Sequence, residues 1–261
     1  MKKIFIYSIL SLGLFFNACS QDPGKALPVI APEIILKDFM GLLNYERDHL
    51  ALHTNFSPYG EDSKPITKAQ FLKLYATGEY LPVQIHSEND NLAYRLYQLQ
   101  KPVNIDISRT LKRWGTDESR RYNLQGTLFP AFNFTDLDGK IYSPAMLKGN
   151  IIALKSWFID CKPCREEMPA LNSLIDKYKK RKDMLFVSLA SDAPDELKAF
   201  LKQTTFNYTV ISDQHNFMER NFQEPSSPTH ILIDKNGQIT LITNKSTVLI
   251  KELNALANKK D

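Results

Sequence analysis

The sequence predicts an α/β fold for residues 127–261, preceded by a smaller mixed α+β domain at residues 33–125. In the second segment, short apolar runs of the kind found in buried strands alternate with stretches whose apolar residues recur at helical spacing. Ile151–Leu154 is such a run, and Met168 and Leu171 begin the helical pattern that follows it. This alternation is typical of a central sheet flanked by helices.

The smaller domain is predicted to contain three helices and two strands. A helical period spans Glu33–His53, and Thr67 is placed to cap a second helix. No motif in this domain indicates a chemistry, so we assign it no role beyond positioning or choice of partner. Its later elements are the strands Leu81–His86 and Leu92–Leu99, the polar turn Ser87–Asn91, the helix Ile107–Tyr122 and a domain boundary at Tyr122–Leu128.

Two histidines of the first predicted helix are four residues apart, a spacing that could place both imidazoles on one metal ion. His49 and His53 have no third candidate ligand near them in the sequence. We therefore interpret them as an ordinary histidine pair, and the sequence predicts neither a metal site nor a cofactor.

The second domain carries further strands and helices after its first apolar run. Asp192 is predicted to cap a helix whose first turn holds Pro194. Asn236 and Gly237 predict a type I′ hairpin turn, and Pro169 should kink the helix that follows the cysteines. The remaining elements are the strands Leu185–Leu189, Tyr208–Ile211, Thr229–Asp234 and Gln238–Thr243, the helix His215–Phe222 and a last helix capped by Ser246.

The segment Cys161-Lys162-Pro163-Cys164 lies where a predicted strand ends and a helix begins. The first turn of a helix presents unpaired backbone N–H groups and the positive end of the helix dipole, and both favour a thiolate over a thiol. We therefore expect Cys161 to be the exposed, attacking sulfur. Cys164, three residues later, should be more buried and able to close a disulfide with it.

The first residues are predicted to be an export signal rather than part of the fold. Lys2 and Lys3 precede an apolar run, Ile4–Phe16, that is too short for a stable membrane anchor. Ala18-Cys19 resembles the lipobox of bacterial lipoproteins, which implies that residues 1–19 are removed up to a lipidated Cys19. Secretion with another cleavage site is the alternative, and residues 20–32 are predicted to be a tether.

Charge and cysteine content exclude several classes of protein. The chain has 33 basic and 29 acidic residues, so it carries no excess of positive charge that would indicate nucleic-acid binding. Of its three cysteines, only Cys161 and Cys164 would remain beside a lipidated Cys19. This pair must therefore carry any sulfur chemistry of the mature protein.

The cysteine segment and its surroundings resemble the TlpA/ResA-type thioredoxin-like thiol–disulfide oxidoreductases. The similar residues are Trp157, Cys161, Cys164, Arg165, Glu167 and Pro169, together with Phe129–Phe134, Asp136–Lys140, Leu147–Gly149 and Ser227–Asp234. The resemblance covers about half of the chain and implies a thioredoxin-like fold at residues 127–261. It also implies a protein-disulfide oxidoreductase that works by dithiol–disulfide exchange.

The resemblance also implies roles for residues around the cysteines. Glu167 would tune the cysteines and accept the proton of Cys164, and the Ser227–Pro228 peptide bond would be cis, with the backbone of Ser227 available to pair with a substrate. Position 160, where the family usually has tryptophan, is an aspartate that opposes a thiolate. The residues assigned to the substrate-binding surface are Trp157, Lys162, Pro163, Ser227 and Pro228. For Trp157 itself, packing beside the site is the preferred interpretation and contact with a substrate is the alternative.

The predicted partners follow from this chemistry. Substrates would be exported proteins that contain disulfides, and a reductase in an oxidising compartment needs an upstream membrane-bound thiol donor. The protein would face the periplasm and attach to a membrane through its lipid, without binding nucleic acid. We expect reduction rather than oxidation of substrates.

Three other functions are compatible with parts of the sequence. A peroxiredoxin would have a threonine three residues before its cysteine, where this chain has Phe158. A copper chaperone would use the cysteines with a histidine, for which His215 and His230 are candidates, but its usual cysteine spacing is longer by one residue. The third possibility is a permanently oxidised Cys161–Cys164 pair in a purely structural domain.

Overall fold

The computed structural model of the protein describes residues 23–87, 91–102, 104–223 and 227–258. The predicted signal segment with Cys19, and the middle of the predicted turn at residues 87–91, lie outside the described residues. Within the ranges that are described, no helix combines the length and the apolar character needed to cross a membrane.

The first half of the described chain packs helices against a three-stranded sheet. In this sheet β3 lies between β1, which is parallel to it, and β2, which is antiparallel to it. Leu42, Phe71 and Leu111, from three different helices, are fully buried in its core. The elements are α1 (Pro32–Ile35), α2 (Phe39–His49), β1 (Ser57–Tyr59), α3 (Lys68–Tyr75), β2 (Tyr80–Gln84), β3 (Ala93–Gln98) and α4 (Ile105–Leu124).

The structure confirms most of these predicted elements and corrects two. The helix predicted over Glu33–His53 is two helices, because the backbone of Asp38 is extended and its carboxylate accepts a hydrogen bond from Gly41 N at 2.8 Å, which starts α2 anew. The strand β1 was not predicted, since its three residues include a proline and show no alternation. Thr67 caps α3 in a capping box with Gln70, as predicted.

The second half of the described chain is a five-stranded sheet with helices on both faces, so the predicted α/β, thioredoxin-like fold class is confirmed. The strand order is β10-β9-β6-β7-β8, and β6 in the centre is parallel to β7 and antiparallel to β9. The elements are β4 (Phe134–Thr135), β5 (Ile141–Tyr142), β6 (Ile151–Trp157), α5 (Lys162–Glu166), α6 (Met168–Tyr178), β7 (Met184–Ala190), α7 (Pro194–Leu201), β8 (Thr209–Ile211), α8 (His215–Phe222), β9 (Thr229–Ile233), β10 (Ile239–Thr243) and α9 (Ser246–Asn258).

Alternate residues of β6 face two separate cores. Ala153 and Trp157 pack on the side that also holds both cysteines and the inner residues of α6 and α9. Ile152 and Leu154 pack on the other side, with the apolar residues of α8. Since side chains alternate along a strand, residue 155 must point toward the cysteine side.

Three local predictions in this half are wrong. The turn between β9 and β10 is not type I′: only Gly237 has a positive φ, while Asp234 Oδ1 accepts the N–H groups of Asn236 and Gln238. Asp192 is not the cap of α7, because the residue before that helix is Ala193. Similarly, α9 begins at Ser246 itself rather than after it.

The two halves are joined through β10. The chain after α4 bonds to the β9–β10 hairpin: Gly126 N donates to Ile239 O at 2.8 Å, and Phe129 N donates to Gly237 O at 2.9 Å. The division into domains at residues 33–125 and 127–261 remains a prediction.

Candidate functional site

The cysteine pair lies at the junction of β6 and α5, as the sequence predicts. Cys161 is the residue that caps α5. Pro163 lies in the first turn, where a backbone N–H would have no acceptor within the helix, so its absence costs no hydrogen bond. The backbone N–H of Cys164 points at Cys161 Sγ, with an N–S distance of 3.2 Å. A sulfur in this position receives a hydrogen bond and the positive end of the helix, and both stabilise its thiolate.

The two sulfurs form a disulfide, with the Cα atoms 5.2 Å apart. Cys164 is fully buried, as predicted. Cys161, however, is only 4% exposed, so the prediction of an exposed attacking sulfur is wrong for this state. Pro163 and Lys162 beside it are exposed.

Glu167 ends α5 and precedes α6, one helical turn beyond Cys164. Its carboxylate forms an ion pair with Lys155 Nζ. His230 Nε2 lies 3.2 Å from each of its two oxygens. The expected approach of Glu167 to Cys164 is not a bonded contact in the disulfide form, because the described partners of this carboxylate lie on the sheet.

Lys155 and His230 come together because β6 and β9 pair in antiparallel register with these two residues directly opposite. Side chains at opposite positions of such a pair lie on one face with Cβ atoms about 5 Å apart. Both side chains are completely buried, and Glu167 reaches them from the helix layer with 11% of its side chain exposed. We call these three residues the buried triad.

Burial affects the pKa of each member of the buried triad. For Glu167, burial raises the pKa, but the hydrogen bond from His230 and the positive charge of Lys155 together lower it by more, so the net pKa lies below its ordinary value. Burial lowers the pKa of Lys155, and the carboxylate of Glu167 opposes this shift. Burial also lowers the pKa of His230. We therefore describe Glu167 as ionised, Lys155 as its counterion and His230 as neutral at neutral pH.

The protonation of His230 follows from its partner. Because a carboxylate can only accept, Nε2 must carry the hydrogen that faces Glu167. Nδ1 is buried and has no hydrogen-bond partner among the described residues. A neutral ring leaves only a lone pair at this position, whereas a charged ring would bury an unsatisfied N–H.

Two loops complete the surroundings of the cysteines. The Ser227–Pro228 peptide bond is cis, as predicted, and directly precedes β9. Asp192 Oδ2 accepts the N–H of Ile159 at 2.9 Å, which ties the segment before Cys161 to the segment after β7. The sequence assigned Asp192 to a helix cap, so this contact was missed.

Trp157 packs beside the site, which is the preferred of its two interpretations from the sequence. Its side chain is completely buried and packs against Phe200 and Phe206, with ring centroids 5.7 and 5.4 Å away. The Trp157 side chain is therefore part of the core beneath the cysteine segment and is not accessible from the surface in this form. Lys162, by contrast, has 80% of its side chain exposed, and its Nζ lies 3.7 Å from Glu166.

Sequence reasoning missed Lys155 and His230 as part of the site. Lys155 was assigned no role from the sequence. Its position in a run of apolar residues, on the face shared with Ala153 and Trp157, was nevertheless a signal that a buried cation needed a counterion. His230 was considered only as a copper ligand, and its Nε2 instead contacts Glu167. The other candidate, His215, is exposed on α8.

Comparisons with known proteins agree with this site. Residues 125–242 match the model of the AhpC/TSA family. The thiol-disulfide oxidoreductase ResA of Bacillus cereus (strain ZK / E33L) is 34% identical over 110 residues, which are 42% of this chain and 64% of that protein. The chloroplastic peroxiredoxin Q of Gentiana triflora is 30% identical over 129 residues, which are 46% of this chain and 58% of that protein.

Among solved structures, the thioredoxin domain of a thiol-disulfide oxidoreductase from Bacteroides vulgatus aligns with a TM-score of 0.47 and 22% identity. The alignment covers 51% of this chain and 98% of that domain. The chain thus spans a little under two thirds of the ResA protein that it matches, and residues 23–124 lie outside the family match. Residues 125–242 are thus similar to the AhpC/TSA family and to thiol-disulfide oxidoreductases named ResA.

Proposed function

We propose that this protein is an exported thiol–disulfide oxidoreductase that reduces disulfides in other proteins through Cys161 and Cys164. The observation that carries the proposal is the position of Cys161 at the start of α5, where Cys164 N donates to its sulfur. A thiolate stabilised in this way is both a nucleophile and a good leaving group.

The reaction would proceed in two exchanges. The thiolate of Cys161 attacks one sulfur of the substrate disulfide, forms a mixed disulfide and releases the other substrate sulfur as a thiolate. Cys164 then loses its proton to Glu167 and attacks Cys161. This closes the Cys161–Cys164 disulfide and releases the second substrate sulfur, which takes a proton from water. An upstream thiol donor returns the pair to the dithiol form.

The substrate would dock beside the cis-proline loop. Ser227 and Pro228 directly precede β9, and their backbone can pair with an extended segment of the substrate protein. Lys162 and Pro163 supply the exposed rim. The lipid anchor at Cys19, the periplasm-facing location and the membrane-bound donor are parts of the same proposal, since a reductase in an oxidising compartment requires a supply of electrons.

The reduction potential of the Cys161–Cys164 couple tests this function. A soluble chain that starts at Ser20 is equilibrated in thiol redox buffers, and the fraction of disulfide is measured. A value near about −270 mV, like that of thioredoxin, is the expected result, whereas a value near about −120 mV would reverse the direction of electron flow. A pair that never exchanges with the buffer would contradict the proposal.

Peroxide reduction is the second candidate, because peroxiredoxin Q is among the relatives. The residue three positions before Cys161 is Phe158, which has no hydroxyl to activate a peroxide. The reduced protein should therefore consume disulfide substrates and leave hydrogen peroxide unreacted over the same time.

A further inference from the structure

We propose that Lys155 and His230 are positioning residues of the redox site, which hold Glu167 ionised and oriented so that it can accept the proton of Cys164 throughout the neutral pH range. This inference rests on the proposed function and extends it to two residues of the sheet. Its physical basis is the burial and the register of the buried triad.

A fully buried lysine cannot keep its charge without a counterion, since desolvation would otherwise neutralise it. The only ion-pair partner of Lys155 in the described residues is Glu167. The attraction is mutual, so the same pair keeps Glu167 deprotonated. A carboxylate that is buried without a cation would instead have a raised pKa and would be protonated when the cysteines react.

His230 orients the carboxylate of Glu167 without adding a charge. Its Nε2–H donates to Glu167, and its burial keeps the ring neutral at neutral pH. Two donors from adjacent strands thus fix the carboxylate from the sheet side. The ring cannot turn away freely, because the side chain of His230 is completely enclosed.

The groups that face Glu167 come from every layer around it. Lys155 lies on β6 and His230 on β9, while the cysteines lie on the adjoining α5. Tyr208, just before β8, is buried, and the charge of Glu167 adds to the effect of burial in raising its pKa. Tyr208 is therefore neutral, and Lys155 is the group that sets the charge state of Glu167.

The test uses the reduced soluble chain and an aromatic disulfide whose released thiolate is coloured. The first coloured product reports the attack by Cys161, and the second reports the attack by Cys164 on the mixed disulfide. In the wild type, the second step should show no carboxyl titration between about pH 5 and pH 8. In Lys155→Met it should slow roughly tenfold near pH 6 and recover near pH 8.5, because a carboxyl that is buried without a cation has its pKa raised by up to about 3 units.

Several variants separate this role from general damage. Lys155→Arg keeps the cation and should retain the wild-type profile. Lys155→Met with Glu167→Gln should be slow at every pH, without the titration. Ser188→Ala changes the buried neighbour of Lys155 on β7 and should leave both steps unchanged. If Lys155→Met slows the second step equally at all pH values, Lys155 has only a structural role and the proposal is overturned.

A second readout does not depend on turnover. As the pH falls from about 8 to 5, the infrared band of protonated carboxyl groups should grow more in oxidised Lys155→Met than in the wild type or in Glu167→Gln, where only the other carboxyl groups contribute. His230→Phe, which removes a donor without removing a charge, gives a further check if Lys155→Met does not fold. We expect a smaller shift in the same direction, and no shift in either variant would overturn the proposal even if the disulfide exchange itself is confirmed.

Discussion

Both halves of the molecule bury charged side chains, but they do so in different ways. In the first half, Arg121 Nη1 pairs with Glu118 at 3.2 Å within α4, and these side chains are 9% and 18% exposed. In the second half, Lys155, Glu167 and His230 come from β6, the α5–α6 junction and β9. The first pair spans three residues of one helix, whereas the buried triad spans 75 residues of the chain.

The two sets of charges differ in what they affect: the Arg121–Glu118 pair stabilises a single helix, whereas the buried triad can also alter the chemistry of the cysteines. A pair three residues apart forms whenever the helix forms, and water at its edge weakens the interaction. The buried triad exists only when two strands and a helix junction are assembled, and each member relies on the others to avoid an unpaired buried charge. Only the buried triad lies beside the reactive sulfurs, so only there should a change in charge alter the redox chemistry.

The largest expected effect comes from removing one member of the buried triad. Glu167→Ala leaves Lys155 buried without a counterion and should destabilise the fold by about 3–5 kcal/mol. Glu118→Ala in the partly exposed pair should cost about 1–2 kcal/mol. Urea unfolding of the oxidised proteins measures both values.

The control for this experiment removes the charge together with its partner. Lys155→Met combined with Glu167→Gln should recover most of the lost stability, because no uncompensated charge remains. Equal losses for Glu167→Ala and Glu118→Ala would contradict the distinction between the two networks.

The second prediction is a substitution in α4 that should destabilise the first half without affecting the cysteines. A Cβ added at Gly115 of α4 would lie 2.6 Å from Ala76 N and from Tyr75 C, both backbone atoms of the neighbouring helix region. Gly115→Ala should therefore destabilise the protein by about 2 kcal/mol despite the better helix propensity of alanine. Thr116→Ala on the exposed side of α4 is the matched control, and the reduction potential of the cysteines should stay unchanged in both variants.

The third effect is a loss of stability in mild acid. His53 lines a cavity of about 560 Å³ between the two halves. Burial and the nearby cations, chiefly Lys245 and Lys68, lower its pKa to about 4. Below about pH 6.5 the unfolded chain therefore binds a proton that the folded chain does not, so stability is full above this pH and falls toward pH 4.

The expected loss from His53 is about 1–2 kcal/mol between pH 7 and pH 5, because each pKa unit corresponds to about 1.4 kcal/mol. Thermal unfolding across this range measures it, and His53→Gln should flatten the curve. His230, whose pKa is also lowered by burial, contributes in the same direction and should account for the slope that remains.

The smallest effect concerns the second lysine near the cysteines. Lys162 and Glu166 form an exposed pair at 3.7 Å, so Lys162→Gln should change stability by less than about 0.5 kcal/mol. Chemical unfolding of Lys162→Gln and Lys155→Gln compares the two lysines, and the loss of stability should be several times larger when the buried Lys155 is replaced. Similar losses for both lysines would mean that burial does not distinguish them.

The local elements were largely predictable because their signals are local. Thr67 caps α3 as predicted, and β6 and α6 follow the predicted periodicities. The break at Asp38 and the turn at Gly237 were misread, because helical period and a two-residue turn motif do not reveal which backbone hydrogen bonds will form. The strand β1 exists only because β3 accepts it as a neighbour.

The cis bond before Pro228 was implied by the resemblance to a known family. By itself, the sequence determined the order of elements in the second half and the placement of the cysteines at a strand-to-helix junction. These features depend on residue type and on short spacings along the chain. Tertiary structure alone decided that Lys155 lies opposite His230 and that both meet Glu167, since strand register is set by pairing between distant segments. It also decided that Cys161 is nearly buried and that Glu167 is ionised, because burial and charge depend on neighbours that the sequence does not place.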